Sequence, residues 1–200
     1  MNHYEMMARD LHAVGIPESD VWELVNAPHG YREQVPVMVD WLEHLDERVP
    51  AGDERESMRQ GCLRVLSTSL SKGNREAFEI VAHQFEIEPR LSEYVLFPAG
   101  IALVCIAERK DFPRIVEILD ASPDGVGCSE LVRFLGRYKT AEGREAAIAQ
   151  LAKPEVRMDA IRALRQQRAP GVRDLVAQYL DDPNLTTRQQ AARALEVLPE

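Results

Sequence analysis

The chain has 200 residues, 45% of them hydrophobic, and carries a net charge of −9. That size suits one domain with a good core, or five or six stacked helical hairpins, and the apolar fraction suits a folded soluble protein. The longest apolar run, residues 95–107, falls short of the roughly 20 residues a membrane span requires, and residues 1–10 carry His, Glu, Arg and Asp where a secretory signal needs an apolar core.

Taken in chain order, almost everything reads as short helices. A helix is expected over residues 4–14, stopped by Gly15, and a short one over 21–26, capped by Ser19 or Asp20. Residues 35–45 and 54–70 form a pair joined by a polar turn, 48–53. Residues 75–85 and 92–108 form the next, with a kink expected at Pro98. Three more pairs follow: 112–120 with 128–138 across a turn at 122–125, 141–152 with 155–167 across Lys153-Pro154, and 172–180 with a helix that Thr186 or Thr187 caps and that runs to residue 198. Pro154 suits the first turn of its helix, where a missing N–H costs nothing. The total is about ten to twelve helices. No alternation long enough for a sheet occurs.

The last ninety residues repeat. Arg133-Phe134-Leu135, Arg162-Ala163-Leu164 and Arg193-Ala194-Leu195 fall 29 and 31 positions apart. Pro123, Pro154 and Pro183 precede them at separations of 31 and 29, behind apolar segments ending in Leu119, Leu151 and Leu180. A period of about 30 in helix-forming sequence means stacked helical hairpins, each hiding its apolar stripe on its neighbour. Arg64-Val65-Leu66 is a further copy of the same element. The expected organisation is one solenoid over 1–200: a terminal cap over 1–32, degenerate repeats over 33–110 and clear repeats over 111–198.

The turn Leu180-Asp181-Asp182-Pro183-Asn184-Leu185, followed by Arg188 and Ala191-Ala192-Arg193-Ala194-Leu195, resembles a HEAT repeat of the bacterial phycobilisome-lyase-like type. The likeness is specific over 111–198 and weaker over 33–108. The stretch Leu24-Val25-Asn26, Tyr31-Arg32 and Val35-Pro36-Val37 is similar to the start of a group of small bacterial HEAT-repeat proteins of unassigned role. The resemblance implies an all-α, right-handed α-solenoid of antiparallel helix pairs. The second helix of each pair would line a concave face, and the role would be a protein-binding scaffold.

Enzyme signatures are absent: no glycine-rich phosphate loop, no nucleophile elbow, no His-Glu-x-x-His. The five histidines are scattered; Glu79 and His83 read as a surface i,i+4 pair rather than metal ligands. Asp181-Asp182 reads as turn-capping. Cys62, Cys105 and Cys128 lie far apart in no paired motif, as small apolar residues of a reducing compartment do. No cofactor and no metal are expected, and the expected location is cytoplasmic.

Two surfaces compete as binding sites. Residues 1–100 hold 18 acids and 9 bases, whereas 101–200 hold 15 of each. An acidic half repels phosphate backbones and speeds encounter with a basic protein. Asp40, Glu43, Asp46 and Glu47 are its candidate contacts, with Trp22 and Tyr31 as aromatic anchors; Trp41, on the stripe Val37, Met38, Leu42 and Leu45, reads as core. The alternative is the row Arg133, Arg162 and Arg193, extended by Arg64 and with Arg137, Arg165 and Arg168 on the same set of second helices, which stacking would align to bind phosphate or carboxylate groups. HEAT-like alkylpurine DNA glycosylases use a basic concave face in this way. Against it, each arginine can pair with an acid of the next repeat, and the aromatics that a nucleic-acid site interleaves are sparse. The reading is a non-catalytic protein–protein interaction scaffold with a protein partner, basic in character; nucleic acid is disfavoured and the oligomeric state is open. Its rivals are an immunity-type inhibitor of a basic toxin and a binder of nucleic acid or phospho-ligands through the arginine row. A lyase role rests on fold resemblance alone.

Overall fold

Helix α1, His3–Ala13, begins where Asn2 and Glu5 cap each other reciprocally and ends at Gly15, whose φ of +83° closes the turn. Gly15 N–H donates to the His12 carbonyl and Ile16 N–H to the Leu11 carbonyl, the paired pattern that satisfies a helix's last acceptors. The computed structural model describes residues 1–123 and 125–200; Asp124, in the turn expected at 122–125, lies outside the described residues. Among the described residues there are no strands, and the architecture is all-α.

The chain divides into two compact units, Met1–Asp111 and Phe112–Glu200. The first contains α1, α2 (Val21–Val25), α3 (Gln34–Glu43), α4 (Leu45–Arg48), α5 (Asp53–Leu66), α6 (Arg75–His83) and α7 (Glu93–Ile106). Here α3 packs on α5 and α6 packs on α7, and the pairs join through contacts of α5 with α7 and of α3 with α6. The second contains α8 (Phe112–Ala121), α9 (Ser129–Leu135), α10 (Ala141–Ala149), α11 (Arg157–Gln167), α12 (Arg173–Ala177) and α13 (Leu185–Leu195). Three pairs stack, α8 with α9, α10 with α11 and α12 with α13, with α11 between α9 and α13.

The apolar periodicity explains these contacts. In α6 the buried residues are Ala77, Phe78, Val81 and Ala82, one stripe of a 3.6-residue helix. In α11 they are Ala160, Ile161, Ala163 and Leu164, flanked by buried Asp159 and Gln167. Small residues at 160 and 163 let α9 and α13 approach from either side. Cationic side chains close several helix ends: Lys153 Nζ donates to the Leu119 and Ser122 carbonyls at 2.6 and 2.9 Å, and Arg173 Nη1 to the Leu195 and Leu198 carbonyls at 2.6 and 2.9 Å. The free carbonyls of a helix C-terminus carry partial negative charge, which these cations offset.

Several expected details differ. The described residues hold thirteen α-helical segments rather than ten to twelve, in part because the expected 35–45 helix breaks at His44 into α3 and α4. Asp20 alone caps α2, its Oδ1 accepting from Trp22 and Glu23 N–H. Asn184, not a threonine, caps α13, accepting from Thr186 and Thr187 N–H at 2.8 and 3.2 Å; a threonine two residues in is a donor of that motif rather than its acceptor. Pro154 precedes α11 instead of opening it, since the helix begins at Arg157. The 172–180 segment is helical only to Ala177 and then tightens to a 3-10 turn, which leaves Leu180 42% exposed and off the buried stripe. Helix α7 continues through Pro98. Glu79 pairs with Arg75 and not with His83, which faces Glu86.

Candidate functional site

The acidic unit builds a groove between α3 and α6. Pro36, Val39, Asp40 and Glu43 of α3 face Glu76, Glu79 and Ile80 of α6 across a space of about 510 Å³. Val39 and Ile80, both half-exposed, give its lining an apolar part, and two carboxylates line it from each helix. Two of these are engaged. Asp40 pairs with Arg48 at 2.7 Å and faces His44 at 3.3 Å, and Glu79 pairs with Arg75, which also reaches Asp111 at 2.9 Å. Glu43 and Glu76 are exposed and make no ion pair among the described residues. Unit Met1–Asp111 holds 20 acids and 11 bases while unit Phe112–Glu200 holds 13 acids and 13 bases, so the whole net charge of −9 belongs to the unit with the groove.

The other acidic and aromatic candidates sit elsewhere in that unit. Asp46 and Glu47 lie on α4. Asp46 holds Arg59 at 2.8 Å and Arg55 at 3.4 Å; Glu47 is exposed. Arg59 is a buried cross-link, its second contact a 2.8 Å hydrogen bond to Gln84 Oε1, and burial lowers its pKa against the opposing pull of Asp46. Trp22 is half-buried against α5: its Nε1 donates to Ser57 Oγ at 3.1 Å and Arg64 stacks over the ring at 5.8 Å. Tyr31 is half-buried too, its hydroxyl donating to Glu18 Oε1 at 3.2 Å. Desolvation, then the bond and charge of Glu18, raise its pKa. Both rings are thus committed to internal hydrogen bonds. Trp41 is fully buried, its Nε1 donating to Asp10 Oδ2 at 3.1 Å.

The arginine row is partly assembled. On α9, Arg133 pairs with Glu130 at 2.5 Å and lies 4.0 Å from Asp159; on α11, Arg162 pairs with the same Asp159 at 3.1 Å. Asp159 is buried, and desolvation raises its pKa against the pull of the two arginines. Arg133, Arg162, Ala163, Arg165 and Gln166 line a cleft of about 420 Å³. Arg193 on α13 is exposed, outside that lining, and makes no ion pair among the described residues.

Two groups were not expected from the sequence. Glu76 and Glu79 join Asp40 and Glu43 only through the packing of α6 on α3, and nothing local announces that. Arg165, expected among the arginines of the second helices, joins Arg133 and Arg162 at the cleft, whereas Arg137 and Arg168 are outside its lining. Tyr94, 82% exposed, and Phe97 lie one turn apart on the surface of α7. Their signal was available: α7 is apolar on every side, and a helix without a polar face leaves apolar groups outside once its buried stripe is filled. Among the described residues no group of three His, Cys, Asp or Glu is placed to hold a metal, and no helix is long and apolar enough to cross a membrane. Cys62 is fully buried, which pushes its thiol up to about 12.

Residues 112–196 match the family described as HEAT repeats, a span that starts where the second unit starts. Over 99% of its length the chain is similar to the crystal structure of an engineered protein, a Northeast Structural Genomics Consortium target, with 97% of that chain covered, a TM-score of 0.50 and 20% sequence identity. At that identity the likeness speaks for the fold alone. No curated protein matches the chain.

Proposed function

We propose that this HEAT-repeat protein is a non-catalytic protein-interaction module whose acidic N-terminal unit docks a basic partner in the α3–α6 groove. The observation that carries this reading is the groove itself. It combines apolar lining from both helices, Val39 and Ile80, with carboxylates from both, of which Glu43 and Glu76 make no ion pair among the described residues. An amphipathic segment bearing lysine or arginine beside leucine-like side chains satisfies both features at once. The field of a unit holding the whole net charge of −9 would steer such a partner toward it. HEAT repeats in residues 112–196 agree with the scaffold role common to such repeats. Trp22 and Tyr31, tied to Ser57 and Glu18, serve the unit's internal packing in this reading, and Asp46 serves Arg59.

The test uses a synthetic helical peptide with lysines on one face and leucines on the other, titrated into the full chain by calorimetry. Binding should weaken as salt rises, because the Debye length falls from about 10 Å at 0.1 M to about 3 Å at 1 M. Glu43→Lys with Glu76→Lys should abolish it, while the charge-matched pair Glu54→Lys with Glu88→Lys should retain most of it. Equal losses from both pairs would reduce the groove to a diffuse field and end the proposal.

A further inference from the structure

We propose that the cleft between α9 and α11 is a binding site for a phosphate-class oxyanion. The argument rests on the guanidinium donors of Arg133, Arg162 and Arg165 and is independent of the acidic groove. Arg162 and Arg165 stand three residues apart on one face of α11, and Arg133 reaches the same space from α9. Each guanidinium is anchored through Nη1: Arg133 to Glu130 at 2.5 Å, Arg162 to Asp159 Oδ1 at 3.1 Å, Arg165 to Gln190 Oε1 at 3.3 Å. A guanidinium carries five N–H groups in a fixed fork, so an anchor at Nη1 orients the group and leaves donors for a ligand: the Nε–Nη2 edge in Arg162 and Arg165, and Nη2 in Arg133, whose Nε lies 4.0 Å from Asp159. Three pre-oriented forks exceed what a planar carboxylate accepts, whereas a tetrahedral phosphoryl group offers an edge to each.

Charge agrees. Three cations face two anions, Glu130 and Asp159, leaving a positive excess at the cleft in a unit that is neutral overall. Backbone packing holds the walls close. A Cβ on Gly136, just beyond the end of α9, would lie 3.1 Å from Ala163 Cα and 2.5 Å from Gln166 Oε1, so glycine there lets α9 sit directly against the helix that carries Arg162 and Arg165. The cleft, about 420 Å³, accepts a phosphorylated side chain or a small phosphate ester.

The probes are inorganic phosphate, pyrophosphate and acetate, titrated into the full chain and followed by amide chemical shifts. Phosphate and pyrophosphate should give saturable shifts centred on residues 133 and 162–166, with acetate weaker by an order of magnitude. Arg162→Gln and Arg165→Gln should each weaken phosphate binding about tenfold or more, as expected for loss of a charge-assisted fork. Arg162→Lys should weaken it too, since lysine keeps the charge but not the fork. Arg32→Gln, in the acidic unit, should change nothing. Unchanged circular dichroism in every variant excludes misfolding as the cause. Absence of saturable shifts, equal affinity for acetate, or full affinity in Arg162→Lys would overturn the proposal. A pyrophosphate affinity far above phosphate would point to a diphosphate ligand, and equal affinities to a phosphorylated side chain; both support the site.

Discussion

Replacing Leu164 by alanine tests the stacking logic directly. Leu164 is 0% exposed and belongs to α11, which packs against α9 on one side and α13 on the other. The substitution deletes three carbon groups from the core. At about 0.8 kcal/mol per buried methylene the transfer loss is roughly 2.4 kcal/mol. A helix held on two sides cannot move in to fill the space, so a cavity cost adds to this, and the total should be about 3 kcal/mol, within the usual range of roughly 2–5. Leu135, equally buried on α9, should behave alike, whereas half-exposed Leu195 on α13 should cost about 1 kcal/mol. Urea unfolding should be followed by far-UV circular dichroism, because Trp22 and Trp41 both lie in the first unit and report on it alone. A loss below about 1 kcal/mol at Leu164, or a Leu195 variant that loses more than the Leu164 variant, would show that residue 164 does not sit at the joint between repeats.

Asp159→Asn should change how stability depends on pH. Burial raises the folded-state pKa of Asp159, so the folded chain binds this proton more tightly than the unfolded chain does. Stability from this group is therefore fully present below the ordinary carboxylate value and lost as pH rises through the raised one. The variant cannot lose it, so its unfolding free energy relative to the parent should climb from acid to neutral pH; a flat or falling difference in urea titrations would contradict the assigned shift. Gly61→Ala should destabilise the first unit by about 1–3 kcal/mol, because the added methyl would meet Val21 Cγ1 at 2.5 Å and Cγ2 at 2.9 Å, and a buried β-branched side chain has little room to turn. Displacing α2 should also alter the emission of Trp22, which follows Val21 and is tied to Ser57; unchanged emission and stability would mean that α2 and α5 are not in close approach.

Much was legible in the one-dimensional pattern. The recurrence of Arg-x-Leu with an upstream proline near every 30 residues sets helix pairs as the building block, and the position of Leu164 within that element marks it as core. The segregation of charge was legible too, since it is a count along the chain. Helix ends were less so: Asn184 displaced the threonines as cap of α13, and the 172–180 helix stopped early, because caps depend on backbone geometry that several neighbouring polar residues can satisfy. The sites themselves came only with tertiary structure. A helical period says which stripe of α3 is buried but not which residues of α6 stand opposite Asp40 and Glu43, thirty-odd positions away. Nor does it say that Arg133 and Arg162 share Asp159 while Arg193 stays outside their cleft. Periodicity is a property of one helix and its local energies, whereas a groove or a cluster of guanidinium groups is set by the lateral fit between helices, where small side chains such as Gly136 and Ala163 decide how near two backbones come.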